Sequence, residues 1–199
     1  LLARAYGLER LTVGWMLVEA TVALWSGIAA HSITLIAFGA DSVIELISAF
    51  VLIWRLDVEV RRGAEFSPAA EERARKIGGI LLCALALYVV LSAAWSLWTR
   101  TGETFSPAGL VVALVAIPAM YALANAKIRV ADKLSSRAMR ADAAESLTCG
   151  YLSAVVVVGL LADFFFRAWW VDAATSLAIV FFLLKEAREA WSGEDCCAA

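Results

Sequence analysis

Residues 34–54 read TLIAFGADSVIELISAFVLIW and indicate the fold class of this chain. This stretch is long enough to cross a hydrocarbon core about 30 Å thick, which takes about 20 mostly apolar residues in a helix. Two acids, Asp41 and Glu45, interrupt it, although an ionised side chain near the bilayer centre costs about 2.5–3.5 kcal/mol even on lenient scales. The stretch therefore predicts a transmembrane helix whose acids have a functional reason to be there.

Five further segments have a similar apolar character. They are residues 11–30, 77–98, 107–126, 144–166 and 171–185, of which the last is short. Backbone groups cannot stay unpaired in lipid, and none of these segments alternates like a barrel strand, so all must be helices. We therefore predict an all-α membrane protein with six transmembrane helices. Asp172 stands where it could cap the sixth.

The composition supports a membrane protein and excludes other classes. The 199 residues are 62% hydrophobic and 18% charged, whereas globular domains are nearer half apolar and a quarter charged. A net charge of −2 gives no nucleic-acid-binding surface. The chain has one histidine and no His-Glu-x-x-His motif, which argues against a membrane enzyme. The chain has four cysteines, which are Cys83, Cys149, Cys196 and Cys197. Their spacing is not that of a disulfide framework.

Lysine and arginine residues predict the orientation. Only Arg100 and Arg167 of the 17 basic residues fall in the connections on one side, and the other fifteen fall on the opposite side. The positive-inside rule then places both termini in the cytoplasm of a cell-membrane protein. Segment 11–30 is longer than a signal-peptide core and contains Glu19, so we expect a retained helix. We expect one transmembrane domain over residues 1–191, a charged loop over 57–76 that becomes helical towards its end, and a short cytoplasmic tail over 192–199.

Two pairs of side chains have the spacing of ligands for one ion. Asp41 and Glu45 are four residues apart, and so are Glu145 and Cys149, so each pair projects from one helical face. Two facing helices would then supply four ligands, the number that zinc takes in closed sites. The thiolate of Cys149 would favour borderline and soft ions such as zinc or cadmium.

Two more acids have open alternatives. Glu19 is either a hydrogen-bonded packing residue or part of a proton path. Asp142 lies one turn towards the cytoplasm from the second pair, where it either lines the vestibule through which an ion enters or caps the helix. The tail cysteines Cys196 and Cys197 either capture soft metal loosely or belong to an unstructured end.

Residues 31–45, HSITLIAFGADSVIE, resemble the second helix of cation diffusion facilitator transporters, in which an apolar run leads into two acids spaced by four. Residues 140–149, RADAAESLTC, and the turn WWVD at 169–172 resemble the same family. The resemblance implies a metal site formed by Asp41, Glu45, Glu145 and Cys149. The last pair departs from the family pattern, because well-known members have His or Asp followed by Asp.

The resemblance also implies an activity and partners. Such a protein exports a divalent cation, here zinc first, in exchange for protons, as a homodimer joined through transmembrane helices and without a resident cofactor. The expected lack of a cytoplasmic C-terminal domain is similar to short relatives that consist of the membrane part only. The alternative is a non-transporting metal-binding scaffold or sensor subunit, whose acids bind ions without moving them.

Overall fold

The computed structural model describes residues 2–62, 68–100, 104–134 and 137–192, which form six α-helices and no strand. In chain order the helices are α1 (Leu2–Ala30), α2 (Ile33–Arg62), α3 (Pro68–Thr99), α4 (Pro107–Leu134), α5 (Arg137–Phe166) and α6 (Val171–Ser192). The predicted all-α class with six helices is confirmed.

Five of these helices contain a stretch that is long and apolar enough to cross a membrane. The stretches are Ala5–Ala30, Ile33–Phe50, Lys76–Thr99, Pro107–Lys133 and Asp142–Phe166. Helix α6 does not qualify, because it is apolar only between Asp172 and Lys185 and then becomes charged. The early start of the charged sequence at Lys185 explains why the sixth predicted segment is short. The cytoplasmic position of the two termini stays a prediction.

Helix replaces most of the loop that was predicted over residues 57–76. α2 continues to Arg62 and α3 begins at Pro68, while residues 63–67 lie outside the described part of the chain. α4 likewise continues past residue 126 to Leu134. Glu, Arg and Lys are good helix formers, so a charged sequence ends the apolar segment without ending the helix. The predicted tail, with Cys196 and Cys197, also lies outside the described residues, apart from Ser192 at the end of α6.

Helices α1, α3 and α5 are each followed directly by a residue with left-handed backbone geometry. The φ angles are 56° at His31, 53° at Arg100 and 46° at Arg167. This conformation commonly follows the last residue of a helix. Arg100 and Arg167 are the two basic residues of the predicted outer side, and there each lies near the partial negative charge of a helix C-terminus.

Asp172 fixes the start of α2 and not, as predicted, the start of its own helix. Its carboxylate accepts hydrogen bonds from the backbone amides of Ile33 (2.8 Å) and Thr34 (3.0 Å) and from the Ser32 hydroxyl (2.8 Å). The prediction that Asp172 caps α6 was therefore wrong. Asp172 is the second residue of α6, and its carboxylate accepts from the free amides at the start of the neighbouring helix. α2 and α6 consequently begin side by side and run in parallel.

The helices pack most extensively in three pairs, α1 with α2, α4 with α5, and α3 with α6. Two glycines permit the close approach of the first pair. A Cβ on Gly27 would lie 2.8 Å from the amide nitrogen of Ile36, and one on Gly39 would lie 2.9 Å from that of Leu24. Both distances are too short for a side chain, so α1 and α2 can be this close only with glycine at these positions.

Apolar side chains occur both inside the bundle and on its outside. Phe38 and Leu152 belong to the core and have no exposed surface. Trp98 and Phe166 are among the most exposed side chains, at 86% and 76%, and both lie at helix ends. An apolar exterior with aromatic residues near the helix ends is typical of a protein surrounded by lipid.

Candidate metal centre

Asp41 and Glu45 lie one turn apart on α2 and are buried, with 1% and 6% of their surfaces exposed. Neither carboxylate has a hydrogen-bond partner. At 1.5 Å per residue they lie about 12 and about 18 Å along the helix from Ile33, close to the middle of a hydrocarbon core about 30 Å thick. Unpaired carboxylates in such a place carry a large desolvation cost, which a cation bound between them would offset.

Glu186 brings a third carboxylate to the same point from α6. One carboxylate oxygen from each of Asp41, Glu45 and Glu186 lies within 4.8 Å of the other two. Glu186 is partly buried, and its Oε1 atom has no hydrogen-bond partner. The parallel course of α2 and α6 from the Asp172 cap brings Glu186 to the level of the two acids of α2.

Glu19 of α1 is buried next to this group, but its carboxylate accepts several hydrogen bonds. Trp15 Nε1 donates to Oε2 at 2.6 Å, and Ser42 Oγ donates to Oε1 at 2.8 Å. Cys149 Sγ of α5 donates to the same Oε1 at 3.4 Å. Donors from three helices therefore meet at one acid, which agrees with the packing alternative for Glu19.

A second buried charged group lies nearer the predicted cytoplasmic side. Lys127 Nζ is 2.5 Å from Asp142 Oδ2 and 3.9 Å from Glu9 Oε2, and it donates to Ser146 Oγ at 3.2 Å. Lys127 and Glu9 have no exposed surface. Asp142, which was predicted to line a vestibule or to cap its helix, is thus held in an ion pair that connects α4 with α5.

The structure brings together two of the four predicted ligands. Asp41 and Glu45 belong to the carboxylate group, whereas Glu145 is exposed and the Cys149 thiol contacts Glu19. In the described ranges, the group with ion-binding geometry consists of Asp41, Glu45 and Glu186. The four-ligand set stays a prediction, and Glu186 is added as a candidate.

The chemistry of this group is that of a hard divalent-cation site. All three side chains offer oxygen, which suits magnesium, calcium and manganese, whereas thiolates suit softer ions. Three ionised carboxylates at this separation repel one another in a medium that screens poorly, so a doubly charged ion is the natural partner.

Comparison with known proteins identifies the family of this chain. The family model described as the cation efflux transmembrane domain matches residues 11–192. The chain belongs to the cation efflux family. The predicted resemblance is therefore confirmed, and the chain is a multi-pass membrane protein of a transporter family.

One relative in the cation efflux family is the manganese efflux system protein MneS of Bacillus subtilis (strain 168). It is 25% identical over 175 residues, which cover 86% of this chain. The chain spans 60% of the length of that relative.

Three members of the two buried groups do not stand out in the sequence of this cation efflux chain. Glu186 belongs to the charged run that follows Lys185, where acids are usually solvated, and Lys127 and Glu9 lie at the ends of predicted spans. One signal was available for the ion pair. Lys127 and Asp142 stand at similar distances from the short connection between α4 and α5, so antiparallel packing brings them face to face.

Proposed function

We propose that this chain is a transporter that expels a divalent metal cation from the cytoplasm, with the ion bound by Asp41 and Glu45 during its passage. The observation that supports the proposal best is the pair itself: two buried carboxylates one turn apart, without any hydrogen-bond partner, near the middle of the membrane. A structural acid in lipid is hydrogen-bonded, as Glu19 is. Asp41 and Glu45 lack such partners, which favours a transient cation as their counter-charge.

For the metal, we propose manganese ahead of zinc. The expectation of zinc depends on the Cys149 thiolate, but that thiol contacts Glu19. The group with ion-binding geometry then offers three carboxylate oxygens and no sulfur. Oxygen donors favour harder ions. The name of the Bacillus subtilis relative points in the same direction.

Exchange for protons follows from the same ligands. Carboxylates bind metal only when they are deprotonated, so protons and metal compete for Asp41 and Glu45. Protons that arrive from the outer side would displace the ion there, and release of the protons to the cytoplasm would prepare the site again. Assembly as a homodimer through transmembrane helices stays a prediction.

Metal flux into sealed vesicles tests the proposal against the scaffold or sensor alternative. The purified chain is reconstituted into liposomes with an acidic interior, and Mn²⁺ uptake is followed with an enclosed fluorescent indicator. We expect uptake that depends on the pH gradient and is lost in Asp41→Asn. Asp132→Asn is the matched control, because Asp132 is exposed and pairs with Arg140 at the surface.

Two results would overturn the proposal, the first its transport activity and the second its ion path. Protein that binds Mn²⁺ without moving it would be a scaffold or sensor. Equal uptake by the wild type and Asp41→Asn would remove the acids of α2 from the path. Faster uptake of Zn²⁺ than of Mn²⁺ would overturn only the proposed metal preference.

A further inference from the structure

The three carboxylates of the candidate centre come from two helices that belong to different packing pairs. Asp41 and Glu45 are on α2, which packs mainly on α1, whereas Glu186 is on α6, which packs mainly on α3. An ion that binds all three would therefore join the two helix pairs. The pair of ligands implied for α5 by the family resemblance would instead join α2 to the pair formed by α4 and α5.

The distances within the group match a single ion. Two oxygens on opposite sides of one ion lie about 4.2 Å apart for metal–oxygen bonds of about 2.1 Å, and about 4.8 Å apart for bonds of about 2.4 Å. The three carboxylate oxygens lie within 4.8 Å of one another. A small contraction would bring all three within bonding distance of one divalent cation, without a change in the course of either helix.

The carboxylates in this group also have oxygen atoms that are free to bind an ion. Both oxygens of Asp41 and of Glu45 lack hydrogen-bond partners, as does Oε1 of Glu186. Asp41 and Glu45 are more than nine-tenths buried. The next acid on α6, Glu189, differs, since its Oε1 lies 3.8 Å from Lys185 Nζ on the same helix. Glu186 is thus the acid of α6 that faces the unpartnered pair on α2.

We propose that Glu186 is a ligand of the transported cation, so that the bound ion bridges α2 and α6. This inference rests on the proposed function, because it assigns a third ligand to the same ion. Asp172 already ties the outer ends of the two helices together through Ser32, Ile33 and Thr34. The bound ion would connect the two helices a second time, nearer their inner ends. Its release would free the inner part of α6, while the hydrogen bonds of Asp172 still hold the outer ends together.

Equilibrium binding of Mn²⁺ to the purified chain, in detergent or nanodiscs, tests this assignment. The variants are Glu186→Gln, Glu189→Gln as the matched control on the same helix, and Asp41→Asn. We expect Glu186→Gln to weaken Mn²⁺ binding at least about tenfold, since loss of outer-shell groups alone costs about 10–100-fold. Glu189→Gln should bind as the wild type does.

A change of donor type separates a ligand from a structural residue. Glu186→Cys should raise the ratio of Cd²⁺ affinity to Mn²⁺ affinity at least about tenfold, because a thiolate prefers the softer ion. If Glu186 only supports the fold, its replacement should lower the affinities for both ions by the same factor. This comparison also decides the matter if Glu186→Gln folds poorly.

The outcomes separate the two proposals. Loss of Mn²⁺ binding in Asp41→Asn together with wild-type binding in Glu186→Gln would overturn the role of Glu186 alone. An unchanged Cd²⁺ to Mn²⁺ ratio in Glu186→Cys would do the same. Wild-type binding in Asp41→Asn would overturn the proposed site as a whole.

Discussion

Cys149 shows how one hydrogen bond changes the interpretation of a residue. A cysteine one turn from an acid in a membrane helix has the spacing of a metal ligand, but its thiol donates to Glu19 Oε1. The same oxygen accepts from Ser42 of α2. Glu19 thus connects α1, α2 and α5 through hydrogen bonds, and Cys149 acts there as a donor.

Replacement of Cys149 by serine tests this interpretation at the scale of one residue. A serine hydroxyl can make the same hydrogen bond, so Cys149→Ser should keep the ratio of Zn²⁺ to Mn²⁺ affinity within about twofold. The ratio is measured by competition between the two ions for the purified protein. A selective loss of Zn²⁺ affinity would show that Cys149 is a ligand, because thiolates prefer zinc to manganese.

The residues of the candidate centre could be predicted only in part. A spacing of four places Asp41 and Glu45 on one face, and their position inside an apolar run implies a partner. The same spacing in Glu145 and Cys149 does not say which neighbour each side chain meets, and the structure leaves Glu145 exposed. Glu186 could not be found in this way, since it lies on α6, far from Glu45 in the sequence.

At the scale of helices, the outer junction of α2 and α6 depends on Asp172. Its carboxylate satisfies two amides that the first turn of α2 leaves without helical partners. Thr34 Oγ1 also donates to the backbone oxygen of Asp172, at 3.1 Å. This junction sets the parallel alignment that brings Glu186 to the level of Asp41 and Glu45.

Loss of the Asp172 carboxylate should therefore destabilise the bundle. Removal of a helix cap typically costs about 0.5–2 kcal/mol, and we expect the upper part of this range for Asp172→Ala, because two amides and a hydroxyl lose their acceptor. Thermal unfolding in detergent, with Asp132→Ala as the surface control, measures the effect. Equal unfolding midpoints for the two variants would contradict the capping role.

The helices themselves were easier to predict than their ends. Apolar length identifies a membrane helix, because lipid requires paired backbone groups. Helix ends in charged sequence have no such constraint, and α2 and α4 both continue as helix beyond the predicted spans, to Arg62 and Leu134. The identity of a cap depends on which helices are neighbours, so Asp172 was assigned to the wrong helix.

At the scale of the whole molecule, charge also joins helices away from the metal centre. Lys127 of α4 pairs with Asp142 of α5 and lies 3.9 Å from Glu9 of α1. The lysine is fully buried. The two acids compensate its charge, so this group holds three of the six helices in register on the predicted cytoplasmic side.

Removal of the lysine alone should be more harmful than removal of all three charges. Lys127→Met leaves buried acids without a partner, which typically costs about 3–5 kcal/mol. The triple variant Glu9→Gln, Lys127→Met, Asp142→Asn should recover much of that loss. Unfolding midpoints of both variants in the same detergent provide the measurement. A triple variant less stable than Lys127→Met would contradict the ion-pair explanation.

Equilibrium dialysis of the purified chain against Mn²⁺ measures whether Asp41 and Glu45 share one divalent cation. We predict about one ion bound per chain, with affinity that rises with pH because the ligands must lose protons first. Asp41→Asn and Glu45→Gln should each lose this ion, and Asp132→Asn should keep it. Retention of one ion at wild-type affinity by both site variants would contradict a cation shared by Asp41 and Glu45.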